Sequence, residues 1–135
     1  MSAFRDSSHV AEVVGGFFRH ESESDWKTSF FGGSGIVLAY KLHDPDVRIV
    51  LDARAKPEHG KAFAIFVNDP NAPAPTTEFS LSADDFDRLY RGEIQPMAML
   101  TSGQLKTAGD VALAMRLLPA FARSIPHYKQ YRETH

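Results

Sequence analysis

The sequence has no cysteine, one tryptophan and almost no net charge. Without cysteine there is no disulfide, no thiol nucleophile and no thiolate metal ligand, and the chain suits a reducing compartment. Fifteen basic against seventeen acidic residues give a formal charge of -2. That balance supplies no cationic footprint for a phosphate backbone or an anionic lipid surface, so nucleic acid is not an expected partner. No apolar run nears the ~18 residues of a membrane span, so stable membrane insertion is not expected. The first nine residues lack the basic-then-apolar order of a signal peptide. The last four, Arg132-Glu133-Thr134-His135, form neither a peroxisomal signal nor a prenylation box. At 135 residues, a single soluble, cytoplasmic domain with one core is the expectation.

Patterns that carry chemistry are missing too. The six histidines, His9, His20, His43, His59, His127 and His135, stand singly, in no spacing that would hold zinc. The glycine run Gly32-Gly33-Ser34-Gly35 lacks the Gly-Lys-Ser/Thr end of a phosphate loop and feeds a strand, so it reads as a turn. Nor is Ser34 a nucleophile elbow, because Gly-x-Ser-x-Gly fits no frame around it. Asp84, Asp85 and Asp87 suggest a metal site, but no histidine accompanies them. First-turn acids answering a helix dipole explain them better. No cofactor or metal is expected, and no catalytic residue is singled out.

What the sequence does contain is periodicity. Val10, Val13, Val14, Phe17 and Phe18 lie on one stripe of a helix over Ser8 to His20. Gly15 and Gly16 inside it mean either a shorter helix or something packed closely there. Three strands follow, Gly35 to His43, Asp46 to Ala55 and Lys61 to Asp69, joined by turn sequences at Asp44-Pro45 and Lys56-Pro57-Glu58-His59-Gly60 as an antiparallel meander. The first two alternate between a wet and a dry face. The third, Ala62 to Val67, is apolar on both faces, which implies burial on two sides or cover by a partner subunit, leaving a homodimer possible. A short strand, Thr77 to Leu81, leads to Ser82, placed as the cap of a helix from Ala83 to Arg91 with Leu81 and Phe86 as its hydrophobic staple.

The stretch from Gly92 to Leu118 is the most informative. Gly92, Gly103 and Gly109 divide it into a short helix opened by Pro96, a strand over Gln104 to Ala108, and a helix capped by Asp110. Few of its residues are charged, and it holds Met97, Met99 and Met115. Methionine there fills a core, or makes a surface that adapts to varied apolar ligands. The last helix is apolar on more than one face, so it must be broadly buried or line an apolar space. Pro119 should break it, leaving a separate turn and a tail that folds back with loose last residues.

Gly92-x-x-x-Pro96, Gly103-x-Leu105-Lys106, Gly109-Asp110 and Leu113-Ala114-Met115-Arg116-Leu117, together with the preceding Phe79-x-Leu81-Ser82-x-x-Asp85-Phe86, resemble the C-terminal half of the sterol carrier protein domain, the nonspecific lipid-transfer family. The resemblance covers about the last 40% of the chain in specific residues, and only element order upstream. It implies an α+β fold: a five-stranded, largely antiparallel sheet with helices on one face and a hydrophobic tunnel between them for sterols, fatty acids or acyl-CoA. Carried over by position, Met99, Leu100, Leu105 and Met115 would touch that tunnel, and Leu38, Tyr40, Ile49, Leu118 and Phe121 would complete it. Tyr40 and Thr107 would be polar groups that orient the ligand, Thr107 standing where the family is usually apolar.

The expected function is therefore non-catalytic binding or carriage of an apolar, lipid-like small molecule. The alternatives are a small steroid-type isomerase using Tyr40 and an aspartate as an acid/base pair, and a dimerisation or accessory module built on the apolar third strand.

Overall fold

The computed structural model describes residues 2–24, 34–54 and 62–135, with all of their side chains except those of Ala120 and Phe121. The glycine run at 32–33 and the turn at 56–60 lie outside the described residues. The first helix, α1, spans Ser7–Ser24 and sets Val10, Val14 and Phe17 fully inside, with Val13 and Phe18 beside them. It runs through Gly15 and Gly16 without a break, and both glycines stand where other side chains pack closely against the helix. A Cβ on Gly15 would lie 3.0 Å from a Val67 methyl, and one on Gly16 would run into the Tyr131 hydroxyl. Close packing, not a shorter helix, accounts for both glycines.

Strands β1 (Val37–His43), β2 (Val47–Asp52), β3 (Ala64–Val67), β4 (Thr77–Ser82) and β5 (Lys106–Gly109) form one mixed sheet in the order β3-β2-β1-β4-β5. The meander β1-β2-β3 is antiparallel as expected, β4 crosses over to pair parallel with β1, and β5 closes the far edge antiparallel to β4. Register puts Val67, Ile49, Tyr40, Phe79 and Thr107 in a single row across the helix-covered face. The opposite face departs from the simple wet-and-dry alternation. Val37, Ala39 and Val50, assigned by pattern to solvent, are buried there beneath Phe66 and Ala72. Strand β3 is half-buried on both sides within its own chain, Ile65 and Val67 against the helix-side core and Phe66 against this second cluster, with Ala64 exposed.

Ser82 caps α2 (Ala83–Tyr90), its hydroxyl accepting from the Asp85 N–H at 3.0 Å. Helix α3 (Pro96–Ser102) starts on its proline and stops at Gly103; α4 (Val111–Leu117) is capped by Asp110, whose carboxylate accepts from the Leu113 N–H at 3.0 Å. Pro119 then ends α4 in a 3-10 turn, Leu118–Ala120. Beyond it the tail folds back over the domain as expected, but as a 12-residue helix, α5 (Phe121–Arg132), which carries Pro126 inside it and buries Tyr128 completely.

Gly103 and Gly109 separate two demands on glycine. Both are left-handed, at φ +83° and +85°, but only Gly109 is crowded, with Thr76 O 2.5 Å from where a Cβ would sit. Gly103→Ala should therefore cost only the left-handed penalty, about 1 kcal/mol. Gly109→Ala should cost at least about 2 to 3 kcal/mol, because the clash is with backbone and must be relieved by parting β5 from β4. Urea unfolding of the two variants side by side checks the difference.

Candidate functional site

Between the sheet and its helices lies a layer of rings. Phe86 and Tyr90 stack with centroids 4.4 Å apart, Phe18 lies on Tyr40 at 5.4 Å, and Phe17 meets Tyr128 edge-on at 5.0 Å. Contacts of this kind add roughly 0.5–1.5 kcal/mol per pair to simple burial. The Tyr40 and Tyr90 hydroxyls hydrogen-bond to each other at 2.5 Å, out of reach of water. Asp87 is buried as well, 7% exposed in its side chain. It accepts from the Tyr128 hydroxyl at 2.6 Å and the Arg91 Nε at 2.7 Å, while the Arg132 Nε stands at 3.6 Å. Asp87 is thus no first-turn acid; it ties α2 to α5. Asp84 and Asp85 do sit in the first turn, and Asp84 also accepts from the Ala3 N–H at 2.8 Å. Among the described residues no group of three His, Asp or Glu side chains could hold a metal ion.

Burial raises the pKa of Tyr40, Tyr90 and Tyr128 above the usual phenol value, and the nearby Asp87 charge adds to the rise at Tyr128. The sign follows directly. A phenol whose folded pKa exceeds its unfolded value, about 10, stabilises the fold fully below that pH and loses the contribution as pH rises further. Absorbance at the phenolate band should show these three tyrosines silent in the folded protein at about pH 11, ionising only together with unfolding.

An apolar groove opens beside this core. One wall is Leu89 from the end of α2, then Gly92, Ile94, Gln95, Pro96 and Met97 leading into α3. The other is Met115 and Leu118, then Pro119, Ala122 and Ile125 where the chain turns from α4 into α5. The local sequence builds both walls. Pro119 breaks the helix so that α4 and α5 present faces to the same space. Gly92, at φ +75°, lets Ile125 come so close that a Cβ would lie 3.3 Å from two of its carbons. The groove encloses about 260 Å³ and, among the described residues, carries no charged lining residue. Met97 and Met115, 53% and 41% exposed, show that it is open to solvent. A larger hollow between α1 and α5, about 790 Å³, is lined by Arg19, His20, Glu21, His127 and other polar groups, and suits no apolar molecule.

The residues singled out in the sequence fall into separate places. Met115 and Leu118 line the groove. Leu38, Tyr40, Ile49, Met99 and Leu105 lie beneath it in the core, at most 5% exposed. Leu100 packs half-buried against that core, and Thr107 sits half-buried at the end of the cross-sheet row, on the helix side of the edge strand. Phe121 begins α5, and its side chain lies outside the described residues. Sequence reasoning missed Met97, Ile94 and Ile125 as groove residues. Met97 stood out as a methionine in an uncharged stretch, but only its exposure separates it from the buried Met99. Tyr40 bonds to Tyr90, and the buried aspartate, Asp87, bonds to Tyr128.

Among the described residues, five helices and a five-stranded mixed sheet covered by helices on one face define an α+β domain with an apolar groove between its helices. The chain belongs to the SCP-2 sterol transfer family, whose model matches residues 18–122. Solved structures agree on the fold. Sterol carrier protein 2 from Yarrowia lipolytica in its apo form is 16% identical with a TM-score of 0.62, covering 92% of this chain and 98% of its own. The sterol carrier protein domain 2 of Helicoverpa armigera is 18% identical with a TM-score of 0.63, covering 93% and 96%. The palmitated SCP2L2 of Aedes aegypti is 12% identical with a TM-score of 0.56, covering 90% and 95%. Comparison with curated protein sequences gives no match. No helix among the described residues is long and apolar enough to cross a membrane.

Proposed function

We propose that this protein binds and carries an apolar small molecule, without transforming it, and that the groove between α2–α3 and α4–α5 is where the ligand enters and sits. The observation that carries the reading is the lining: two exposed methionines, aliphatic side chains and two prolines, with no charged group among the described residues. Surface methionines pooled in one concavity suit an apolar occupant of variable shape. Family membership supports lipid as the ligand class. The palmitated relative supports a fatty acyl chain in particular. The size of the groove favours a chain over a rigid sterol, since about 260 Å³ falls just under the roughly 300–1,000 Å³ of ligand pockets generally.

The driving force would be desolvation. Each methylene taken out of water contributes about 0.8 kcal/mol, so several suffice to outweigh the ordering of a flexible chain. Discrimination among chains of similar bulk would be weak, because an apolar wall distinguishes one methylene by only about 1–3 kcal/mol. Titration with a fluorescent fatty acid, together with native mass spectrometry of the purified protein, tests the reading. Saturable binding at one site is expected. Neither copurified lipid nor saturable binding would remove it.

A further inference from the structure

The methionines divide sharply by exposure. Met97 and Met115 are 53% and 41% exposed and both line the groove, whereas Met99, two residues along α3 from Met97, is fully buried. With no cysteine in the chain, no thiol competes for a two-electron oxidant, and exposed thioethers are the next sulfur groups on the oxidation ladder. We propose that Met97 and Met115 are an oxidation site that switches the groove from apolar to polar and so releases its ligand; this rests on the reading of the groove given above.

The oxidant class is a peroxide. A sulfur lone pair attacks one peroxide oxygen, the O–O bond breaks as an S–O bond forms, and the departing hydroxide takes up the remaining proton and leaves as water. The sulfur gives up two electrons and the peroxide is reduced. The resulting sulfoxide is a strong acceptor that must be hydrogen-bonded or hydrated. The groove meets little of that demand once a ligand has expelled the water. Donors there are few: among its described lining residues Gln95 alone has a side-chain donor, Pro96 and Pro119 have no N–H, and the backbone offers little beyond the first turn of α3. A ligand entering the oxidised groove would strand the sulfoxide oxygens, whereas in the empty groove water reaches them through the exposed faces of both side chains. A methionine sulfoxide reductase, drawing electrons from a thiol, returns both sulfurs to the thioether.

The test uses the full chain, hydrogen peroxide, and a fluorescent fatty acid as the probe. Peptide mass spectrometry should find Met97 and Met115 oxidised at least about tenfold faster than Met99, the contrast expected from exposure. Probe affinity should then fall at least about tenfold, and reductase treatment should restore it. In Met97→Leu/Met115→Leu, the ratio of treated to untreated affinity should stay near one, whatever its starting value. Sulfoxide at both positions with affinity unchanged would overturn the switch, as would an equal loss in the double leucine variant. No saturable binding before any oxidant is added would instead remove the reading of the groove, and the switch with it.

Discussion

Asp87→Ala should destabilise the fold by about 3 to 5 kcal/mol, the range for removing one partner of a buried ion pair. The cost comes less from lost attraction than from what is left behind. Arg132 is 9% exposed in its side chain, and two of its nitrogens, Nε and Nη1, already have no hydrogen-bond partner. Its remaining contacts are the Ala3 carbonyl, 3.0 Å from Nη2, and the ring of Phe4, 4.9 Å away. Without Asp87 a buried guanidinium would lose its counter-charge, and the Tyr128 hydroxyl its acceptor. Tyr128→Phe keeps the ring packing and removes one hydrogen bond to a charged group, so about 1.5–3 kcal/mol is expected there. Urea unfolding measures both, and hydrogen exchange should show α5 opening first in Asp87→Ala. A loss under about 1 kcal/mol would mean that Asp87 does not hold α5 in place.

The second large effect falls on binding and spares the fold. Met115→Asp places a carboxylate where the methionine is 41% exposed, so the free protein keeps it hydrated and stability should change by less than about 1 kcal/mol. A ligand filling the groove would have to strip that carboxylate of water, with no cation among the described lining residues to answer it. Affinity for a long-chain fatty acid should fall at least about hundredfold, two steps of 1.4 kcal/mol. Leu118→Ala makes a useful contrast, since Leu118 is only 4% exposed. It should cost about 2 to 3 kcal/mol in stability and weaken binding less. Unaltered binding in Met115→Asp would move the ligand elsewhere.

Much of this fold could be read from local chemistry. Gly92, Gly103 and Gly109 marked real boundaries, and Ser82 and Asp110 cap the helices they precede. Alternation also set the helix-side faces of β1 and β2 correctly. These signals share a short range, each decided within four or five residues. What failed depended on partners distant in sequence. Val37, Ala39 and Val50 follow a pattern that places them in solvent, and only the return of the chain through Phe66 and Ala72 covers them. Nothing local in the tail announced a helix running through Pro126; α5 packs where Tyr128 meets Asp87 and a bed of aromatic rings.

The candidate site was legible in the same uneven way. The sparsely charged, methionine-bearing stretch from Gly92 to Leu118 supplies much of the groove proposed as the site, Met115 and Leu118 among its lining. Composition could not distinguish Met97 from Met99, two residues apart in one helix, with one on the surface and the other in the core. Nor could it reveal Ile125, which reaches the groove only because Gly92 gives it room.

Methionine methyl NMR tests the siting of the ligand most directly. With the methionines labelled at their methyl carbons and palmitate added stepwise, the Met97 and Met115 signals should shift together and saturate while Met99 stays still. A shift of Met99 with the other two unmoved would contradict the groove and place the ligand in the interior, among Leu38, Tyr40 and Ile49.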